Sequence, residues 1–186
     1  MAEVTTVWLL RHGEADGMTG RCCGRLDAPL SLQGIEQAKR AATQLAGESI
    51  SKMYSSCLER AFKTAQIVAE PHGLDVERVE DLAEMNFGDL EGLTYEEAEE
   101  RFPDVYRSWM TRPLETRFPN GESFCEMRAR VLRALDSIVR RHPGESIGIV
   151  AHAGVNRIVL CRAQAIPESE MFQITQPHCA VNRIQL

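Results

Sequence analysis

Within residues 9–31, LLRHGEADGMTGRCCGRLDAPLS, one histidine and three arginines (Arg11, His12, Arg21 and Arg25) gather in a glycine-rich stretch of an acidic chain. Either this is a solvated surface loop, or it is a pocket for an anion with His12 placed in it for chemistry. Guanidiniums suit the second role, because they donate in planar pairs to phosphate or carboxylate oxygens. A second histidine, His152, directly follows another apolar run, SIGIVA at 146–151. Both histidines stand where an apolar segment ends and a loop or helix begins. In open α/β sheets ligands bind outside the carboxyl ends of the strands, so the two histidines are expected to face one crevice. His72, His142 and His178 carry no comparable motif and are not expected to be catalytic.

The elements that must position these residues are legible from periodicity. VTTVWLL at 4–10 is β-branched and apolar, as suits a buried strand of a parallel sheet. Ser31 is placed to cap a helix with Ile35, Ala38, Ala42 and Leu45 on one face and Gly47 as its stop. KMYSS and VERV (76–79) read as short strands, with the helical LERAFKTAQIVAE between them. Thr94 with Glu97 and Ser123 with Glu126 fit capping boxes. The first opens a helix that Pro103 interrupts. The second opens the most regular helix, where Phe124, Met127, Val131, Leu135 and Ile138 recur at helical spacing. SIGIVA reads as a strand, GVNRIVLCRA as a helix and AVNRIQL as a final edge strand. Strand and helix alternate throughout, which predicts an α/β fold, a three-layer α/β/α sandwich on a mostly parallel sheet, as one domain over residues 1–186.

Composition narrows the function classes. The net charge of −6 argues against nucleic acid as the main partner, since a phosphate backbone needs a basic face. It leaves room for a small anionic substrate held in a local basic pocket. No apolar run approaches a membrane span, and the N-terminal stretch has an acid where a signal peptide is basic. We therefore expect no membrane partner and a cytoplasmic protein. The six cysteines show no C-x-x-C spacing, so no zinc or other metal site is expected. They read as reduced thiols, with Cys22 and Cys23 oxidisable if their loop is open.

Arg-His-Gly at 11–13, directly after a strand, resembles the signature of the histidine phosphatase superfamily, the phosphoglycerate mutase-like proteins. Four further segments match in family order: SSCLERAFKTA (55–65), LAEMNFGDLEG (82–92), FPNGESF (118–124) and IVAHAGVNR (149–157). Residue by residue, the resemblance implies His12 as a nucleophile that becomes a phosphohistidine. It implies Arg11, Arg60 and His152 as the phosphoryl clamp and Glu84 as the acid. It also implies that Cys22 and Cys23 line the site rather than act as nucleophiles, since a histidine fills that role. Asp89 and Glu91 lie close to Glu84 and are its rivals. A phosphomonoester is a dianion, so guanidiniums both bind the transferring group and relieve repulsion of the nucleophile. The leaving alkoxide needs a proton, which a positioned carboxylic acid supplies for ~10²–10⁴-fold in rate. We expect bound phosphate to keep Glu84 protonated. The chemistry implied requires no cofactor and no metal.

Three activities share such a site: phosphatase, mutase and phosphohistidine phosphatase. The chain is short where mutases carry an insertion, and its acid segment is complete, so phosphatase is preferred. CGRLDAPLSLQGIEQA further resembles the α-ribazole-5′-phosphate phosphatases of cobalamin synthesis. Leu90 and Cys22 depart from that subgroup, and both positions are expected to line the leaving-group pocket. Cys23, Gly24 and Arg25 are assigned to the substrate, with Gly20, Gly24 and Pro29 letting backbone approach it. Arg21 either meets a second anionic group or faces water. Trp109, Phe102 and Tyr106 form either a lid or ordinary packing. Sugar phosphates, fructose 2,6-bisphosphate and broad specificity stay open, as does a catalytically idle module that binds phosphorylated ligands.

Overall fold

The computed structural model describes residues 3–186. Five strands form one sheet in the order β3-β2-β4-β1-β5, namely β1 (Thr6–Arg11), β2 (Lys52–Ser56), β3 (Val76–Val79), β4 (Ser146–Ala151) and β5 (Val181–Gln185). Neighbours are parallel except β5, which runs antiparallel along β1. Strand alternation divides the core in two. Val7 and Leu9 of β1 join a cluster with α5 (Phe124–Val139) and α6 (Ala153–Gln164). Trp8 and Leu10 point the other way, into a cluster with α1 (Leu32–Leu45) and α2 (Glu59–Ala69). The result is the expected α/β/α sandwich.

The helix starts follow the sequence signals. Ser31 Oγ accepts from Gly34 N at 3.0 Å, opening α1. Full capping boxes open α3 (Tyr95–Arg101) at Thr94 and α5 at Ser123, and losing such a cap typically costs ~1 kcal/mol. Pro103 ends the first of these helices and opens α4 (Pro103–Thr111), whose first turn tolerates its missing N–H. α3 and α4 cover a third apolar cluster built on Cys22, Leu90, Ala98 and Phe118. Leu90 lies fully buried in that cluster and does not line the cavity described below, contrary to the expectation for it. The 3₁₀ turn at Gly88–Leu90 turns its side chain inward.

β1 ends at Arg11, and the loop after it is pressed against the start of α1. A Cβ on Gly13 would stand 2.5 Å from the carbonyl oxygen of Gly34, and one on Gly34 would stand 2.1 Å from that of Glu14. Two glycines are thus needed for the loop carrying His12 to seat on the helix. Gly13 N also donates to Thr64 Oγ1 of α2 at 3.0 Å, so the histidine's backbone is fixed from both helices. Replacing Gly34 by alanine should destabilise the protein by about 1–3 kcal/mol, read from the urea midpoint, even though alanine is the better helix former. An unchanged midpoint would mean that α1 can move off the loop freely.

Candidate active site

His12 follows β1 and is buried. Its Nδ1 lies 2.6 Å from the Gly13 carbonyl oxygen. A carbonyl can only accept, so Nδ1 carries the proton and Nε2 presents its lone pair. Arg60 Nε donates to that Nε2 at 3.3 Å. Burial, with Arg60 beside it, holds this imidazole well below the ordinary histidine range. His152, the residue before α6, is fully buried at the end of β4, and its ring meets that of His12 edge-on at 5.0 Å. Burial and then Arg60 hold His152 down in the same way. Its Nε2 pairs with Ser56 Oγ of β2 at 2.8 Å, and its Nδ1 has no protein partner. The two histidines meet as topology led us to expect, but only His12 lines the cavity described below, and His152 is buried beside it.

Arg60 lies in the first turn of α2 and is 1% exposed. It donates to the carbonyls of Leu26 and Gly24, both at 2.6 Å. It thus ties down the glycine-rich loop as well as reaching His12. Arg11 donates from Nη1 to the Gln176 carbonyl at 2.5 Å and from Nη2 to His178 Nε2 at 3.1 Å. Its Nε is buried with no protein partner.

Glu84 enters from the loop after the 3₁₀ turn Glu80–Leu82. Its Oε2 accepts from Gly154 N, in the first turn of α6, at 3.2 Å, and its Oε1 from Met85 N at 2.9 Å. Buried Arg130 of α5 holds the loop, donating to the carbonyls of Asp81, Ala83 and Glu84. The rivals are occupied elsewhere. Asp89 accepts from the Asn120 side chain, and Glu91 accepts from the backbone N–H groups of Arg25 and Phe87.

A cavity of about 370 Å³ is lined by Arg11, His12, Arg60 and Glu84 together with Cys22, Cys23 and Gly24. Its outer wall is apolar, with Phe87, Tyr95, Trp109 and Phe118 in tilted or edge-on contact. Trp109 faces the cavity, whereas Phe102 and Tyr106 pack behind it. Cys22 is almost fully buried, and burial pushes its thiol up to about 11, unlike a reactive thiolate. Burial raises the Cys23 thiol as well.

Arg25 is a correction, for it does not line the cavity. Glu91 clamps its backbone, and its guanidinium turns to Glu122, 3.6 Å away, and to the Glu84 carbonyl. Arg21 stays at the rim, donating to the Gly92 carbonyl at 2.8 Å. Among the lining residues that were not foreseen are His178 and Arg157. His178 arrives on the segment between α6 and β5, a stretch with no periodicity, and its ring stands 5.8 Å from that of His12. Arg157 sits within the helical pattern of α6, three residues beyond Gly154. Among the described residues no group of three or more His, Cys, Asp or Glu side chains could hold a metal ion, and no helix is long and apolar enough to cross a membrane.

Residues 7–186 match the model of the histidine phosphatase superfamily (branch 1). The chain belongs to that superfamily. Phosphoglycerate mutase-like protein 4 of Arabidopsis thaliana is 40% identical over 167 residues, covering 88% of this chain and 71% of that protein. Phosphoserine phosphatase 1 of Hydrogenobacter thermophilus is 32% identical over 165 residues, covering 88% and 78%. The alpha-ribazole phosphatase of Shigella flexneri superposes with a TM-score of 0.82 at 29% identity, covering 96% of this chain and 95% of that one. The protein is a histidine phosphatase superfamily phosphatase.

Two outcomes are expected of this phosphatase. The imidazole NMR signals of His12 and His152 should stay in the neutral form between about pH 8 and 6, where an ordinary histidine titrates. Unfolding restores ordinary titration, so the unfolded chain binds more protons once pH drops below about 6.5, and stability falls from there. A midpoint near 6.5 for either ring would show that the folded site admits its charge. Second, a Cβ on Gly154 would stand 2.5 Å from Glu84 Oε1. Gly154→Ala should keep Tm within a few degrees, about what helix propensity alone moves, and lower kcat by roughly 10²-fold. Full activity would mean that Glu84 acts from another position or not at all.

Proposed function

We propose that this phosphatase hydrolyses phosphomonoesters through a phosphohistidine on His12 and that its preferred leaving group carries an aromatic ring, as in α-ribazole 5′-phosphate. One observation carries the chemistry. The Nδ1–H of His12 is spent on the Gly13 carbonyl, so Nε2 is unprotonated, and its lone pair accepts from Arg60 Nε until the phosphoryl group takes that contact. Nε2 attacks phosphorus, the P–N bond forms, and the ester P–O bond breaks in line. Arg11 Nε and His152 Nδ1, both buried without protein partners, join Arg60 in donating to the phosphoryl oxygens. Glu84 gives its proton to the leaving oxygen. It then takes a proton from the water that attacks the phosphohistidine, releasing inorganic phosphate and restoring His12. All donors are fixed before the substrate arrives, so little reorganisation accompanies the charge shift.

The leaving-group reading is supported by the wall of Phe87, Tyr95, Trp109 and Phe118 facing the clamp and by the likeness to the Shigella enzyme. An aromatic base stacked there would gain roughly 0.5–1.5 kcal/mol per ring contact beyond its area. A second reading has its own observation. Arg157 lines the cavity; its guanidinium lies over the Phe172 ring, and among the described residues only its Nε donates, to the Ile174 carbonyl at 3.1 Å. Such a guanidinium suits a leaving-group carboxylate, as in phosphoserine, the substrate named for the Hydrogenobacter relative.

The test is phosphate release in EDTA from α-ribazole 5′-phosphate, phosphoserine, phosphoglycerates, sugar phosphates and fructose 2,6-bisphosphate. We expect α-ribazole 5′-phosphate to lead in kcat/KM, His12→Ala to abolish turnover, and acid-labile, alkali-stable label to be trapped on wild type. A lead for phosphoserine that Arg157→Ala removes would establish the second reading. Label on serine or cysteine, or activity lost in EDTA and restored by a divalent metal, would overturn the mechanism.

A further inference from the structure

Arg11 must present its one unpartnered nitrogen, Nε, to the phosphoryl group, yet an arginine side chain turns freely unless its other nitrogens are held. Both Nη groups are held, and both by the segment before β5. The Gln176 carbonyl accepts from Nη1 at 2.5 Å, and His178 Nε2 accepts from Nη2 at 3.1 Å. A guanidinium has no acceptor, so this contact requires an unprotonated Nε2 on His178. The segment is itself anchored. The side chain of Gln176, 4% exposed, accepts through Oε1 from Asn156 of α6 and Asn182 of β5, and Asn182 donates on to the Leu9 carbonyl of β1. The bracket is thus referenced to the same strand that carries Arg11.

We propose that His178 is a positioning residue that aims Arg11 at the phosphoryl group, and that protonating it releases the aim. The inference rests on the phosphoryl-clamp reading of Arg11. The charged and titratable groups facing His178 are Arg11, the neutral ring of His12 and Glu14. A proton on Nε2 would set a donor against a donor and a cation beside a cation. Burial, then Arg11, pushes the imidazole below its ordinary range, while Glu14 opposes this. The bracket is therefore intact at neutral pH and is lost on acidification.

The experiment measures inhibition by inorganic phosphate and the kcat/KM pH profile for wild type, His178→Ala, His178→Gln and Arg11→Ala. Gln places an acceptor oxygen near the position of Nε2 but does not titrate. We expect His178→Ala to weaken phosphate binding roughly 10- to 100-fold, the range of a lost charge-assisted hydrogen bond, with a smaller change in kcat. His178→Gln should recover most of the affinity and flatten the acid limb of the profile. A purely structural role would cost Tm in both variants and leave the acid limb unmoved, which overturns the proposal. Equal phosphate affinity in His178→Ala and wild type also overturns it. Should the alanine variant not fold, His178→Gln alone decides through the acid limb. If Arg11→Ala also binds phosphate normally, the clamp reading fails rather than the bracket.

Discussion

The Arg60 guanidinium is buried, and among the described residues no carboxylate lies within ion-pair distance of it. The Gly24 and Leu26 carbonyls and the lone pair of His12 each take one of its five hydrogens, one on each nitrogen, without cancelling its charge. Burying a cation this way costs several kcal/mol, and the rest of the site follows from that expense. Its field, added to burial, keeps His12 and His152 neutral. The same field favours a dianion at the cavity floor, on a chain of net charge −6. One group therefore keeps the nucleophile deprotonated and attracts the ester it attacks.

The cavity walls are built from loops that are distant in sequence and fastened to one another rather than to the sheet. Cys22 exchanges backbone hydrogen bonds with Gly92 and Leu93, and Arg21 bridges to Thr94. The Glu91 carboxylate closes the arrangement on Arg25 N and Phe87 N. The glycine-rich loop and the acid-bearing segment are thereby one unit. α3 and α4 stand on it and deliver Trp109 to the cavity. This separates duties within the molecule: strand ends hold the phosphoryl chemistry, and the cross-linked loops shape the space for the leaving group.

Residues whose job is set by local rules were readable from the chain. Ser31, Thr94 and Ser123 cap helices because capping needs only a few neighbouring residues. The placement of His12 and His152 at strand ends follows from apolar runs and topology. Glu84, Cys23 and Gly24, named from resemblance, do line the cavity. What failed depended on distant partners. Arg25 looked like an anion ligand until Glu122, far along the chain, claimed it. Leu90 turned inward because α3 and α4 cover it. His178 carries no pattern at all, since its place is fixed by a buried amide cluster drawn from three elements. Arg157 was hidden inside a helical pattern whose cavity-facing side only packing reveals.

The position of β1 in the sheet bears on how the chain acquires its shape. Its partners are β4, where Thr6 pairs with Ser146, and β5, where Thr6 pairs with Gln185. No strand made in the intervening stretch can shelter it, because β2 and β3 lie beyond β4. During synthesis from the N-terminus, this strongly apolar strand therefore waits with both edges open until more than a hundred further residues have emerged. Loop closure over such separations is slow, and an unpaired apolar strand is prone to wrong partners. The arrangement that sets the nucleophile's strand between β4 and β5 thus makes it among the last to be secured, and a newborn chain has most need of a chaperone there.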